Sequence, residues 1–268
     1  MKKALGILII AALCALSGCA GPAQESGSLD VAASTAMLGS LLSEIGGGRI
    51  NVTVIAPAGM CPGHFDLKPS DMRAVSEAAF LLYHGWEAWI GNLSLPDGGT
   101  EKIKIHTEGS LMVPANHIKA ARETAAVLSE RDSAFSAFYE EAADRYIERV
   151  RALEKTILKQ ASGWAGTALA SSVHQRELLE WMGFSVPAVY GRAEDISPGE
   201  WRSLIELSKK TGVAAVVDNL QSGPRDGMII SGELAVPHAA LSNFPLDGCY
   251  LQTLEDNFLS VRKALGQR

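Results

Sequence analysis

The sequence predicts an α/β protein of two lobes, each a mainly parallel four-stranded sheet flanked by helices, joined by one long spine helix. Three observations carry this. The stretch from Arg131 to Gly163 holds Phe135, Phe138, Tyr139, Ala142, Tyr146, Val150, Leu153 and Ile157 at three-and-four spacing, with charges between them and no proline. That is one face of a long helix, and about 28 residues at ~1.5 Å each make a rod of about 40 Å. On each side of it, strand-like and helix-like segments alternate about four times. Several of the strand segments, such as Phe80–Tyr83 and Val213–Val217, are apolar throughout, as strands covered on both faces must be.

The elements follow in order. Leu29–Ser34 reads as a strand, and Thr35 caps a helix carrying Met37, Leu38, Leu41, Leu42 and Ile45, stopped by Gly46, Gly47 and Gly48. Ile50–Ile55 is the second strand. A loop over 56–68 leads to a helix opened by Pro69, Ser70 and Asp71. Phe80–Tyr83 is a strand, Trp86–Leu93 a short helix, and Lys102–Ile105 a strand. A helix from Pro114 to Leu128 precedes the spine, which Asp132 or Ser133 can cap. The pattern then repeats: strand Thr167–Ser171, helix His174–Met182, strand Phe184–Tyr190, and a helix capped by Ser197 with Pro198 at its first position. Strand Val213–Val217, helix Gly227–Leu234, strand Pro237–Leu241 and helix Tyr250–Leu265 close the chain. The expected organisation is a leader over 1–18, a tether over 19–28, a first lobe over 29–130, the linking helix over 131–163 and a second lobe over 164–268.

The leader expectation rests on Lys2 and Lys3, the apolar run Ala4–Leu16, and Leu16, Ser17, Gly18 before Cys19. The run is too short for a comfortable membrane span. The pattern resembles a bacterial lipobox, with cleavage before Cys19 and lipid attached to its thiol. The mature chain is then exported and held to a membrane by lipid, without a spanning helix. The formal charge is −6, and nothing basic in the sequence suggests nucleic acid as a partner. Once Cys14 is removed and Cys19 lipidated, Cys61 and Cys249 remain in a compartment that permits a disulfide between them.

In open parallel sheets, ligands bind beyond the carboxyl ends of the strands. Five loops occupy those ends: 56–68, 106–115, 171–174, 218–226 and 242–249. The first carries Cys61, His64 and Asp66. The second carries His106 and Glu108, with His117 just beyond. His174 ends the third, Asp218 and Asn219 begin the fourth, and Asn243 and Asp247 lie in the fifth. Neutral imidazole with carboxylate suits Zn²⁺, or Mn²⁺ as carboxylates increase. A Cys61 thiolate would favour a softer ion. His84 reads as a strand-end residue and His238 as an in-strand one. The absence of HExxH, GxSxG and P-loop patterns argues against an enzyme.

Several stretches, in order, resemble the metal-binding lipoproteins of zinc and manganese ABC importers, the cluster A-I or TroA-like solute-binding family. Pro62–Asp71 resembles the family's "dpHdyePtpsD", Ala78–Gly85 its "ADlvvynG", Val173–Gln175 the histidine opening the second lobe, and Tyr250–Asn257 its closing "tYldmmryN". The resemblance implies His64 and His174 as ligands of the cargo metal. It leaves two positions open. Gly109 stands where the family's "NPHvWlDP" has histidine, so His106 or His117 could serve. The late aspartate could be Asp218, Asn243 or Asp247. The preferred set is His64, His174, His117 and Asp218. It further implies a monomer that delivers zinc, or manganese, to a permease and its ATPase. The alternatives are the same fold holding a metal chelate or another small ligand, a metal-dependent hydrolase, and an adhesin-like surface role.

Overall fold

A computed structural model describes residues 28–60, 65–93, 95, 99–106 and 108–266. The expectations for Cys19, Cys61 and His64, the leader and most of the tether lie outside the described residues. The first lobe comprises β1 (Leu29–Thr35), α1 (Ala36–Gly46), β2 (Ile50–Ala56), α2 (Pro69–Glu77), β3 (Phe80–Tyr83), β4 (Glu101–Lys104) and α3 (Pro114–Arg131). The linking helix is α4 (Ser136–Ala161). The second lobe comprises β5 (Ala168–Ser172), α5 (Arg176–Trp181), β6 (Ser185–Tyr190), α6 (Pro198–Thr211), β7 (Ala215–Asn219), α7 (Met228–Leu234), β8 (His238–Leu241) and α8 (Tyr250–Leu265).

The two sheets have the same topology. Their orders are β2-β1-β3-β4 and β6-β5-β7-β8, with every pairing parallel. Each chain path turns back on itself beside its first strand, which opens a crevice at the carboxyl ends. Side chains alternate between two layers. Val31, Ala33, Phe80, Leu82, Leu169, Ala215 and Val217 point into a core shared by both lobes. Their neighbours Ala32 and Leu81 pack in an outer layer of the first lobe, and Ala170 and Val216 in an outer layer of the second.

The linking helix completes the shared core. Tyr139, Ala142, Ala143, Tyr146, Ile147, Val150, Ile157 and Ala161 of α4 are all buried, and α4 packs on α1, α3 and α8. It differs from the sequence expectation at its start. The chain does not run helically from Arg131. Asp132 leaves helical geometry (φ −133°, ψ 64°), and a 3₁₀ turn over Ser133–Phe135 intervenes. Asp132 does not cap α4. Its carboxylate accepts the Tyr139 hydroxyl at 2.7 Å instead. Elsewhere the caps form as expected: the Thr35 hydroxyl accepts the Leu38 N–H, and Ser197 and Glu200 form a reciprocal capping box at α6.

Candidate functional site

Between the lobes lies a cavity of about 270 Å³. The loops after β3, β4, β5 and β8 all reach it. Its polar lining includes His84 from the first lobe and His174, Glu177 and Asn243 from the second.

His84 is held from below. The Glu87 carboxylate, itself 4% exposed, accepts the backbone N–H groups of His84, Gly85 and Trp86 at 2.9, 2.8 and 3.1 Å. It also accepts the Ser34 hydroxyl. Four donors around one carboxylate fix the turn that leaves β3. The His84 Nε2 lies 2.9 Å from the Thr35 hydroxyl, and the Trp86 ring stacks over the imidazole at 5.0 Å. The Nδ1 is buried and has no hydrogen-bond partner. Burial lowers the His84 pKa to about 4, against the opposing charge of Glu87, so the ring is neutral at physiological pH.

His174 follows β5, and the residue after it locks the loop. The Gln175 Nε2 lies 2.9 Å from Asn219 Oδ1, 3.1 Å from the Leu241 carbonyl and 2.8 Å from Asn243 Oδ1. The ends of β5, β7 and β8 are thereby tied together behind the cavity. Desolvation lowers the His174 pKa, and the Arg192 charge adds to it. Glu177 reaches across the cleft, where one carboxylate oxygen accepts the Ser110 N–H at 2.5 Å.

The remaining expected ligands are placed elsewhere. His117 is 0% exposed in the shared core. Its Nε2 lies 2.6 Å from the Tyr146 hydroxyl, and its ring stacks on Tyr250 at 3.5 Å. It does not line the cavity. Asp218 is also 0% exposed. It accepts the Tyr190 hydroxyl at 2.7 Å and the Gly227 N–H at 3.0 Å, and lies 2.6 Å from His238 Nε2. Those contacts occupy its oxygens inside the second lobe. His106 is exposed and pairs with Glu123. Asp247 and the half-buried Cys249 line a separate cavity, and Cys249 is a free thiol. Among the described residues, no three His, Cys, Asp or Glu side chains converge closely enough to hold an ion. Two cavity residues were absent from the expected set. His84 has the signal of ending an apolar strand. Glu177 has that of following His174 by three residues; the helix expected from His174 starts only at Arg176, with Glu177 in its first turn.

The burial of His117 has a measurable consequence. An unfolded histidine takes a proton near pH 6.5, but desolvation holds folded His117 down to about 3, with the Leu111 backbone opposing. Between those values the unfolded state binds more protons, so stability falls as pH falls. The slope for this one group is about 1.4 kcal/mol per pH unit. His117→Phe keeps a ring against Tyr250 and removes the titration. Urea unfolding at pH 6.5 and 5.0 is expected to show a shallower acid loss in this variant by about that slope. Equal losses would mean that His117 does not stay neutral in the fold.

Known proteins share this architecture. A family profile described as "ZnuA: Zinc-uptake complex component A periplasmic" matches residues 31–264. The metal ABC transporter substrate-binding lipoprotein ScbA of Streptococcus cristatus is 24% identical over 268 residues, 86% of each chain. The manganese-binding lipoprotein MntA of Halalkalibacterium halodurans is 25% identical over 236 residues, 78% of each. Among solved structures, the solute-binding protein FpvC of Pseudomonas aeruginosa in complex with Mn²⁺ superposes with a TM-score of 0.77 at 19% identity. That match covers 89% of this chain and 99% of FpvC, and it is a likeness of fold.

Proposed function

The chain belongs to the zinc-uptake complex component A family, and on that premise we propose that it is a solute-binding protein that captures a divalent transition metal, zinc or manganese, between its lobes and passes it to an ATP-driven membrane importer. The observation that carries this reading is the cavity itself. Histidines of opposite lobes, His84 and His174, line one space at the carboxyl ends of the strands. In this reading His64 joins them from the loop after β2. Lowered pKa values keep imidazoles neutral, which is the form that binds a metal. His84 also has the arrangement of a metal-binding histidine whose second nitrogen is oriented by a protein oxygen, here that of Thr35.

The ion is cargo, and the work done on it is ligand exchange, with no covalent chemistry. Relatives are named metal ABC transporter substrate-binding lipoproteins, which supports a permease and ATPase as partners. It also supports lipid attachment at Cys19 outside the cytoplasm. No helix among the described residues is long and apolar enough to cross a membrane. The shared core and the continuous α4 favour small lobe movements over wide closure.

Binding to the folded state alone must stabilise it. At one hundred times its Kd, an ion is expected to add about 2.7 kcal/mol, or roughly 5–10 °C in Tm for a chain of this size. Thermal unfolding of the chelator-treated protein with Zn²⁺ and with Mn²⁺ checks this. No shift with either bare ion would favour a metal chelate or another small molecule as cargo.

A further inference from the structure

We propose that Glu177 supplies the carboxylate that binds the metal in the cleft, and that the same carboxylate, when it is not on the metal, fastens the two lobes together through the Ser110 N–H. The assignment rests on the metal-cargo reading above. Among the described residues, Glu177 is the only Asp or Glu lining the interlobe cavity, whose other described ligand-type groups are the imidazoles of His84 and His174 and the amide of Asn243. A divalent ion there would otherwise meet neutral donors alone. The acids expected from the sequence are elsewhere: Asp218 is enclosed by Tyr190, Gly227 and His238, and Asp247 lines a different cavity.

The first lobe is shaped to receive Glu177. Gly109 has φ +74°, and a Cβ built there would lie 2.5 Å from Glu177 Oε2 and 3.2 Å from its Cδ. A side chain at 109 would push the Glu177 carboxylate off this position and would be strained at that φ, so the glycine is what lets the glutamate rest here. The Ser110 N–H then holds it at 2.5 Å. Glu177 is exposed and sits in the first turn of α5, and it lines the same cavity as His174 in the turn that precedes that helix. The carboxylate that accepts the Ser110 N–H already lines the cavity. Metal entry thus exchanges an interlobe hydrogen bond for a metal–oxygen bond.

Glu177→Gln separates the two roles. The glutamine oxygen can still accept the Ser110 N–H, but it is a poor metal ligand. Calorimetric titration of the purified protein with Mn²⁺ and with Zn²⁺ is expected to show Mn²⁺ affinity falling about tenfold or more in E177Q. Zn²⁺ should lose less, because imidazole suits it better. The metal-free Tm should stay close to wild type. If E177Q is destabilised, E177D serves in its place; it keeps the charge and is expected to bind Mn²⁺ more tightly than E177Q. Wild-type affinities for both ions in E177Q, or equal Mn²⁺ binding by E177D and E177Q, overturn the assignment while the metal-cargo reading stands. A wild-type protein that binds neither ion removes both.

Discussion

Tyr250→Ala is expected to be the most destabilising single change in the lobe junction, at about 4 kcal/mol. The ring is 0% exposed and stacks on His117, while its hydroxyl donates to the Met112 carbonyl at 3.1 Å. Tyr250 opens α8 of the second lobe; His117 and Met112 belong to the first. Truncating a buried aromatic costs about 3–5 kcal/mol through lost transfer energy and the cavity left behind. Here the change also strips a buried carbonyl of its donor, which adds about 1 kcal/mol or more. For a chain of this length, each kcal/mol moves Tm by roughly 2–4 °C, so the midpoint should fall by roughly 8–16 °C. Tyr250→Phe separates the two contributions and should lose only the smaller. If Tyr250→Ala instead unfolds within a few degrees of wild type, the lobes are not held by one shared core.

The second large effect is on binding. His174→Ala is expected to weaken Zn²⁺ binding by about 100-fold or more, at little cost to the fold. Changing even a group that only orients a ligand costs about 10–100-fold in metal affinity, and losing the ligand itself belongs at or above the top of that range. The fold should tolerate the change because the loop is anchored by its neighbours. The Val173 N–H donates to the Tyr190 carbonyl, and Gln175 makes the amide contacts to Asn219, Leu241 and Asn243. The His174 ring carries none of these. Unchanged affinity in this variant, with an unchanged Tm, would move the cargo away from the interlobe cavity.

Much of the architecture could be read without coordinates, for definite reasons. The buried strands announce themselves as apolar runs, although the run Val213–Val217 proves to be the strand Ala215–Asn219, two residues further on, and α8 spans Tyr250–Leu265 as its periodicity suggests. The rule that ligands gather beyond strand ends picks out 106–115, 171–174 and 242–249, which line the cavity, and also 218–226, which does not, and it passes over the turn after β3 that carries His84. It could not say which way each side chain turns. His117 lies one turn into α3, near a ligand loop in sequence, yet its ring enters the core between Tyr146 and Tyr250, a contact set by helices far apart in the chain.

Asp218 reads in sequence as the start of a loop, whereas it lies within β7 and strand parity sets the direction of its side chain. Val216 packs in the outer layer with Tyr190, so Asp218, two residues on, shares that face and meets the Tyr190 hydroxyl. Glu177 escaped because its function depends on Gly109, 68 positions earlier, in the other lobe. The missing histidine at 109 reads in sequence as a loss. In the structure it is the opening through which a carboxylate enters from the opposite side. His84 looked like an ordinary strand end because an unpartnered Nδ1 appears only after every neighbour is placed.

The central claim is that this cleft binds a bare divalent transition metal. Calorimetric titration of the chelator-treated protein with Zn²⁺, alongside His64→Ala and His174→Ala, tests it most directly. The expected result is one site per chain in the wild type, strongly weakened in both variants. Absence of heat and of any stoichiometric uptake in the wild type, or full-strength binding in both variants, would contradict it.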